Sequence, residues 1–208
     1  MFIALIMVAL FALANNHLGH SLGDRIFTIF GVSPWTGQER TGLHLPVVLG
    51  LILLAVGVAG TLRVYRDKYP KMGRWIFLGG IAFFLIYPVA TEKTMFIFKF
   101  YATGVSSLDY AQKESQCSLQ SEGKQVKANC SFTIYNYGQV EEITLKPLFS
   151  DHFADIEFEP SAISLQPHRK MKMNKEFYGK LIEDTGFSGF MQDFAAEVEV
   201  NGTKRRFE

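Results

Sequence analysis

Three apolar runs follow one another in the first hundred residues and organise the chain. Leu43 to Leu62 is twenty residues long with only His44 and Thr61 polar, the length a helix needs to cross about 30 Å of hydrocarbon. Trp75 to Thr91 is seventeen residues without a charge. It extends toward Phe98, with Glu92 and Lys93 at headgroup level and a bend expected at Pro88. Met1 to Ala14 is uncharged but shorter. No positive start precedes it, so although Ala12-Leu13-Ala14 has the Ala-x-Ala form, an uncleaved spanning helix is favoured over a secretory signal. The pattern predicts a membrane domain over 1–100 with three spanning helices, at 1–14, 43–62 and 75–91.

Between the first two runs, segment 15–42 places Leu18, Leu22, Ile26, Ile29 and Phe30 three or four residues apart. That spacing predicts an amphipathic helix lying on the membrane surface, broken by Gly31, Ser33-Pro34 and Gly37.

Beyond residue 100 the apolar period changes to two, with turn signals at the intervals of an all-β sandwich, so 101–208 reads as a separate β domain. Gly123 supplies the positive φ of a type II′ turn, which makes Gly123-Lys124 a two-residue hairpin loop with 122 facing 125. Counting outward, 117 faces 130 at a non-hydrogen-bonded position, where Cα atoms approach to about 4.5 Å. That is disulfide range for Cys117 and Cys130. Two reduced core thiols or a redox pair are the alternatives, but no C-x-x-C spacing or activating charge is present. The same register gathers Cys117, Leu119, Val126, Ala128, Cys130, Phe132 and Ile134 on one face. Further strands are expected at 141–149, with Pro147 at an edge or strand end, and at 156–159, 162–165, 170–177 and 194–200. Asn201-Gly202 signals a type I′ turn that sets Glu199 opposite Lys204 and Glu197 opposite Arg206. Tyr178 to Gln192 fits neither period and reads as a loop.

Charge adds an orientation. Arg63, Arg66, Lys68, Lys71 and Arg74 crowd the short loop 63–74 against one carboxylate, Asp67, and a loop so biased stays cytoplasmic. The expected topology is a multi-pass plasma-membrane protein with a cytoplasmic N-terminus and an extracytoplasmic β domain, the compartment in which a disulfide persists. The chain is 48% apolar and 20% charged with a formal net charge of +1, which gives no reason to expect a nucleic-acid partner. Within the second run, Gly50, Ala55, Gly57, Ala59 and Gly60 are small residues at helical spacing that permit close helix approach. Packing within the chain is the favoured use, a partner protein the alternative.

The polar half resembles the bacterial immunoglobulin-like modules, including the type named for cell adhesion. The resemblance rests on Cys130-Ser-Phe132-Thr-Ile134-Tyr-Asn136-Tyr-Gly138, on Ser164-Leu165-Gln-Pro167 and on the closing Val198-Glu-Val200-Asn-Gly202. It covers about half the chain and implies an Ig-like sandwich with a tendency to bind other macromolecules; a shared fold does not fix a function.

No catalytic motif is present. His17 and His20 share a helical face, and with His44 at the same interface could ligate a metal, though interfacial histidines without metal are commoner. His168, Met171 and Met173 offer soft ligands, but both methionines fall on the inward phase of a strand. Asp151, Asp155, Glu157 and Glu159 lack the pattern of a calcium loop. Asn129 and Asn201 head glycosylation sequons, informative only in a eukaryotic secretory setting. The expectation is therefore a non-enzymatic envelope protein without cofactors, anchored in the bilayer, whose β domain binds or positions another envelope component. The alternative is an accessory factor for metal or redox assembly.

Overall fold

The structure, a computed structural model, describes residues 1–37, 42–149, 156–180 and 188–207. It divides into two compact units, Met1–Glu92 and Lys93–Glu208, where the sequence pattern suggested a boundary near 100.

The first unit is helical: α1 (Phe2–Leu13), α2 (Leu22–Ile29), α3 (Leu45–Tyr65) and α4 (Met72–Phe98), whose last turns belong to the second unit. Among the described residues two helices, not three, are long and apolar enough to cross a membrane. At 1.5 Å per residue, the 21 residues of α3 and the 27 of α4 reach about 31 and 40 Å. The 12 residues of α1 reach only about 18 Å, because the chain turns at Ala14, whose ψ of 132° is extended. The run 1–14 was read by its polarity; its length falls short of a span. α4 continues through Pro88 and has no buried residue, while 22% of the apolar window of α3 is buried.

What is buried on α3 is its glycine face. A Cβ at Gly50 would lie 2.7 Å from Leu13 Cδ2, one at Gly57 would lie 3.1 Å from the Ile6 nitrogen, and one at Gly60 would run into the Phe2 ring. The three glycines thus let α1 lie close along α3, as small residues do where packing drives association. Ala55 and Ala59 are exposed and take no part. Phe11 of α1 also meets Phe83 and Tyr87 of α4 edge-on, at 5.0 and 5.6 Å.

The amphipathic stretch expected over 15–42 contracts to the eight residues of α2. Its start is fixed by a capping box in which the Ser21 hydroxyl accepts from the Asp24 nitrogen and the Asp24 carboxylate accepts from the Ser21 nitrogen. Gly31, at φ 71°, ends it. Leu22, Ile26, Ile29 and Phe30 stay exposed along it.

The second unit is an antiparallel all-β domain of two sheets: β1 (Leu108–Tyr110), β2 (Gln116–Glu122), β3 (Gln125–Asn136), β4 (Glu142–Leu148), β5 (Glu157–Phe158), β6 (Ser161–Ser164), β7 (Arg169–Lys180), β8 (Ser188–Gln192), β9 (Ala195–Val200) and β10 (Thr203–Phe207). The first sheet runs β5-β7-β3-β2-β8, with β1 also on β3; the second runs β10-β9-β4-β6. The buried residues of both sheets form one cluster, in which Phe132, Phe158, Phe177, Leu145 and Val198 are the bulky members, an arrangement compatible with a sandwich.

Both hairpins keep the expected register. Gly123 has φ 64°, and Cys117 stands opposite Cys130, Leu119 opposite Ala128 and Ser121 opposite Val126. Asn201 and Gly202, at φ 49° and 79°, form the closing turn, with Glu199 opposite Lys204 and Glu197 opposite Arg206. Pro147 lies beyond the reach of β6, which pairs β4 only from Glu142 to Leu145, so its missing N–H costs no ladder bond.

One expectation fails. Tyr178–Gln192, read as a loop, begins within β7, which continues to Lys180, and ends as β8; residues 181–187 between them lie outside the described residues. The reason is an inverted pattern. The core-facing positions here are Gly179, opposite Val126, and Gly189, opposite Leu119. The outward positions carry Tyr178 and Phe190, exposed at 55% and 58%. A strand with glycine inside and aromatics outside shows no period-two signal.

Candidate binding face

The register of the first sheet fixes which side chains share its outer surface, since cross-strand partners lie on one face. One row runs Phe190, Ser118, Asn129, Glu176 across β8, β2, β3 and β7. The flanking rows run Gln192, Gln116, Ser131, Asn174 and Ser188, Gln120, Lys127, Tyr178. The opposite face of the same strands carries Cys117, Leu119, Ala128, Cys130 and Phe177 into the core.

An open depression of about 920 Å³ is lined by Gln116, Ser118, Asn129, Ser131, Asn174, Glu176, Tyr178 and Phe190 of this surface, and also by Cys130, Lys175 and, from β6, Ser161. The side chains of Gln116, Ser118, Asn129, Ser131 and Asn174 make no hydrogen bond among the described residues, so their amide and hydroxyl groups face water. The charges at one end are mutually satisfied. Lys127 Nζ lies 2.9 Å from Glu176 Oε1, and the Tyr178 hydroxyl donates to Glu176 Oε2 at 3.0 Å. The Lys127 ammonium, then the Tyr178 hydroxyl, hold the Glu176 carboxyl below the ordinary carboxylate range. The Lys127 ammonium sits 6.0 Å from the Tyr178 ring centroid, which fixes that ring as well.

A second cluster, where the chain enters the β domain, is structural. Asp109, whose side chain is 9% exposed, receives Lys99 Nζ at 3.0 Å and faces Arg205 at 3.8 Å. Lys99 also covers the Tyr137 ring at 5.0 Å. On Lys170, burial opposes the charge, but hydrogen bonds to Tyr135 and Glu114 outweigh it and raise the pKa. Burial pushes the Tyr110 phenol well up, and its hydroxyl donates to the Phe194 carbonyl at 3.1 Å. The Asn136 amide donates to the Val140 and Gln166 carbonyls, tying the end of β3 to the Leu165-Gln166-Pro167 turn.

The residues singled out from the sequence stand as follows. The Cys117 and Cys130 sulfurs are 1.98 Å apart, a disulfide, with Cα atoms at 4.0 Å. Arg63, Arg66, Lys68, Lys71 and Arg74 are all exposed, Arg63 in the last turn of α3, Arg74 in the first turn of α4 and the other three between them. The histidines do not converge. His17 hydrogen-bonds through its nitrogen and ring to Thr91 Oγ1, both at 3.2 Å. His44 Nε2 lies 2.8 Å from Asp24 Oδ1 under the Trp35 ring. Among the described residues no group of three or more His, Cys, Asp or Glu is placed to hold a metal. His168 Nδ1 lies 2.7 Å from the Tyr137 carbonyl and its ring stacks on Phe100. Met171 and Met173 pack against the core. Asp151 and Asp155 lie outside the described residues.

Sequence reading missed Phe190 and Tyr178 as members of one surface. The available signal was two aromatics beside glycines in a stretch without period.

Set against known protein families, characterised proteins and solved structures, the chain matches none.

Proposed function

We propose that the protein is a non-enzymatic, membrane-anchored component of a cell envelope whose β domain stands outside the plasma membrane and binds another envelope component. The observation that carries this reading is the pairing of two long apolar helices, one with no buried residue, with a disulfide-linked β domain that has an open polar face. A helix in the core of a soluble protein would be mostly buried, which α3 and α4 are not.

Orientation has two supports of different physical origin. Five exposed cations over 63–74, where α3 ends and α4 begins, favour a cytoplasmic connection, and the Cys117–Cys130 bond favours an oxidising compartment for the domain. An immunoglobulin-like relationship belongs to the same proposal, and the Asn136 amide supports it by joining two of the three segments that carry the resemblance.

The test is topological. After reduction, a thiol reagent that cannot cross membranes should label Cys117 and Cys130 in intact cells or spheroplasts. Labelling that appears only after lysis places the domain inside and overturns the reading.

A further inference from the structure

We infer that the outer face of β8, β2, β3 and β7 is a binding surface for a neutral oligosaccharide chain, with pyranose rings stacked on Phe190 and Tyr178 and their hydroxyls bonded by Ser118, Asn129, Gln116 and Asn174. The inference rests on the proposed envelope location and names the class of component bound.

The first argument is the inverted strand pattern. A β-strand gains stability by packing its aromatics against neighbours; here glycines 179 and 189 alternate with Phe177 and Met191 at the inward positions, while Tyr178 and Phe190 face solvent. Gly179 stands in a tight place, since a Cβ there would lie 3.0 Å from the Glu157 carbonyl, Ile156 and Phe158. Neither ring packs in the core, and only Tyr178 is held from one side, by Lys127 and Glu176.

The second argument is what lies between the rings. Phe190 and Tyr178 sit on the two outer strands of a four-strand patch, about 14 Å apart across it and about 7 Å along it. The ground between them carries Ser118, Gln120 and Asn129, whose side chains make no hydrogen bond among the described residues, beside Lys127 and Glu176, whose opposite charges meet each other; Gln116, Ser131 and Asn174 continue the surface beyond Phe190. A sugar ring has this same division, a face of C–H groups that packs on an aromatic plane and a rim of hydroxyls that both donate and accept. Asn and Gln offer two donors and an acceptor each, matching such a rim without demanding charge.

The third argument is what the surface lacks. A protein interface places its aromatic anchors at a desolvated centre, whereas here they stand at the ends with polar groups in the middle. A nucleic acid or other polyanion needs a run of unpaired cations, whereas here Lys127 is bound to Glu176 and Lys175 is the one cation left among the described lining residues.

The full chain, purified in a detergent without a sugar headgroup, is titrated with chitohexaose and with cellohexaose by calorimetry. Saturable binding of at least one is expected, weakened about tenfold or more by Phe190→Ala with Tyr178→Ala and about threefold to tenfold by Asn129→Ala or Asn174→Ala. Phe190→Tyr and Tyr178→Phe keep the ring faces and should bind within about threefold of the parent. Lys204→Ala, on the second sheet, should not change binding. No saturable binding of either sugar, or equal binding by the doubly substituted chain, overturns the inference. A protein crosslinked in cells and retained by the doubly substituted chain also counts against it while leaving the envelope reading intact. Cytoplasmic labelling of the cysteines removes both.

Discussion

Reducing the Cys117–Cys130 bond tests the account of the β domain most directly, because it removes a constraint without changing a side chain's volume. The bond closes a loop of sequence separation 13. Restoring that loop's freedom to the unfolded chain costs the folded state about 3 kcal/mol by chain entropy. The folded side changes little, since both thiols remain in a core where Cys117 is fully buried and Cys130 is 2% exposed, and a buried thiol behaves as a small hydrophobe. A unit of this size has an unfolding entropy near 2.1 cal/mol/K per residue, so about 3 kcal/mol corresponds to a melting temperature lower by about 12 °C. Five of the eight tyrosines, Tyr101, Tyr110, Tyr135, Tyr137 and Tyr178, lie in the β unit, against Tyr65, Tyr69 and Tyr87 in the helical one, so the part of the tyrosine near-UV dichroism that Tyr65→Phe, Tyr69→Phe and Tyr87→Phe leave in place reports the β domain of the full chain in detergent, oxidised and reduced. A shift below about 4 °C, under about 1 kcal/mol, would mean that the hairpin is already restrained in the unfolded chain and that the entropic account is wrong.

Four further outcomes follow from the geometry. Phe132→Ala empties a fully buried site and should cost about 3–5 kcal/mol, measured by denaturant titration of the same dichroism. Gly202→Ala meets open space but sits at φ 79°, so the loss should be about 1 kcal/mol of backbone strain alone, seen in the same titration. Gly57→Leu must displace Ile6 and the Phe2 carbonyl and should cost about 1–3 kcal/mol in the helical melt, whereas Ala55→Leu on the exposed face should cost less than about 0.5 kcal/mol. Glu176, held low by Lys127, should titrate by carbon NMR below an ordinary glutamate. Because its folded pKa is depressed, its contribution is complete above the unfolded value and fades as pH falls through the folded one, and Lys127→Gln should move the titration upward.

The β half was legible where local chemistry alone decides. Gly123 and Asn201-Gly202 need positive φ, a two-residue loop leaves one register, and that register dictates the partners within each hairpin, Cys117 with Cys130 in one and Glu197 with Arg206 in the other. β8 and the end of β7 escaped because Gly179 and Gly189 erase the apolar beat on which strand recognition depends. The first helix misled for another reason: apolar composition reports what a segment avoids, while its length depends on where the backbone turns, and that happens at Ala14. The binding face could not be read at all, since Ser118, Asn129, Glu176 and Phe190 form a row only through three separate strand pairings.

The shortness of α1 bears on topology less than it first suggests. In the proposed arrangement the side of the β domain is counted from the cationic loop, not from the first residue. Loop 63–74 stays inside, α4 carries the chain outward, and the domain follows. Whether α1 crosses the bilayer or lies within one leaflet against the glycines of α3 changes only the side on which the residues before Phe2 stand. The disulfide depends on the same single crossing, by α4. Its 27 residues allow a tilted span with Glu92 and Lys93 near the far headgroups, and the absence of buried side chains along it is what a lipid-facing helix requires. The placement of the binding face therefore rests on α4 and the five cations before it, and substitutions that unbalance that loop, not ones that lengthen α1, are those that can move it.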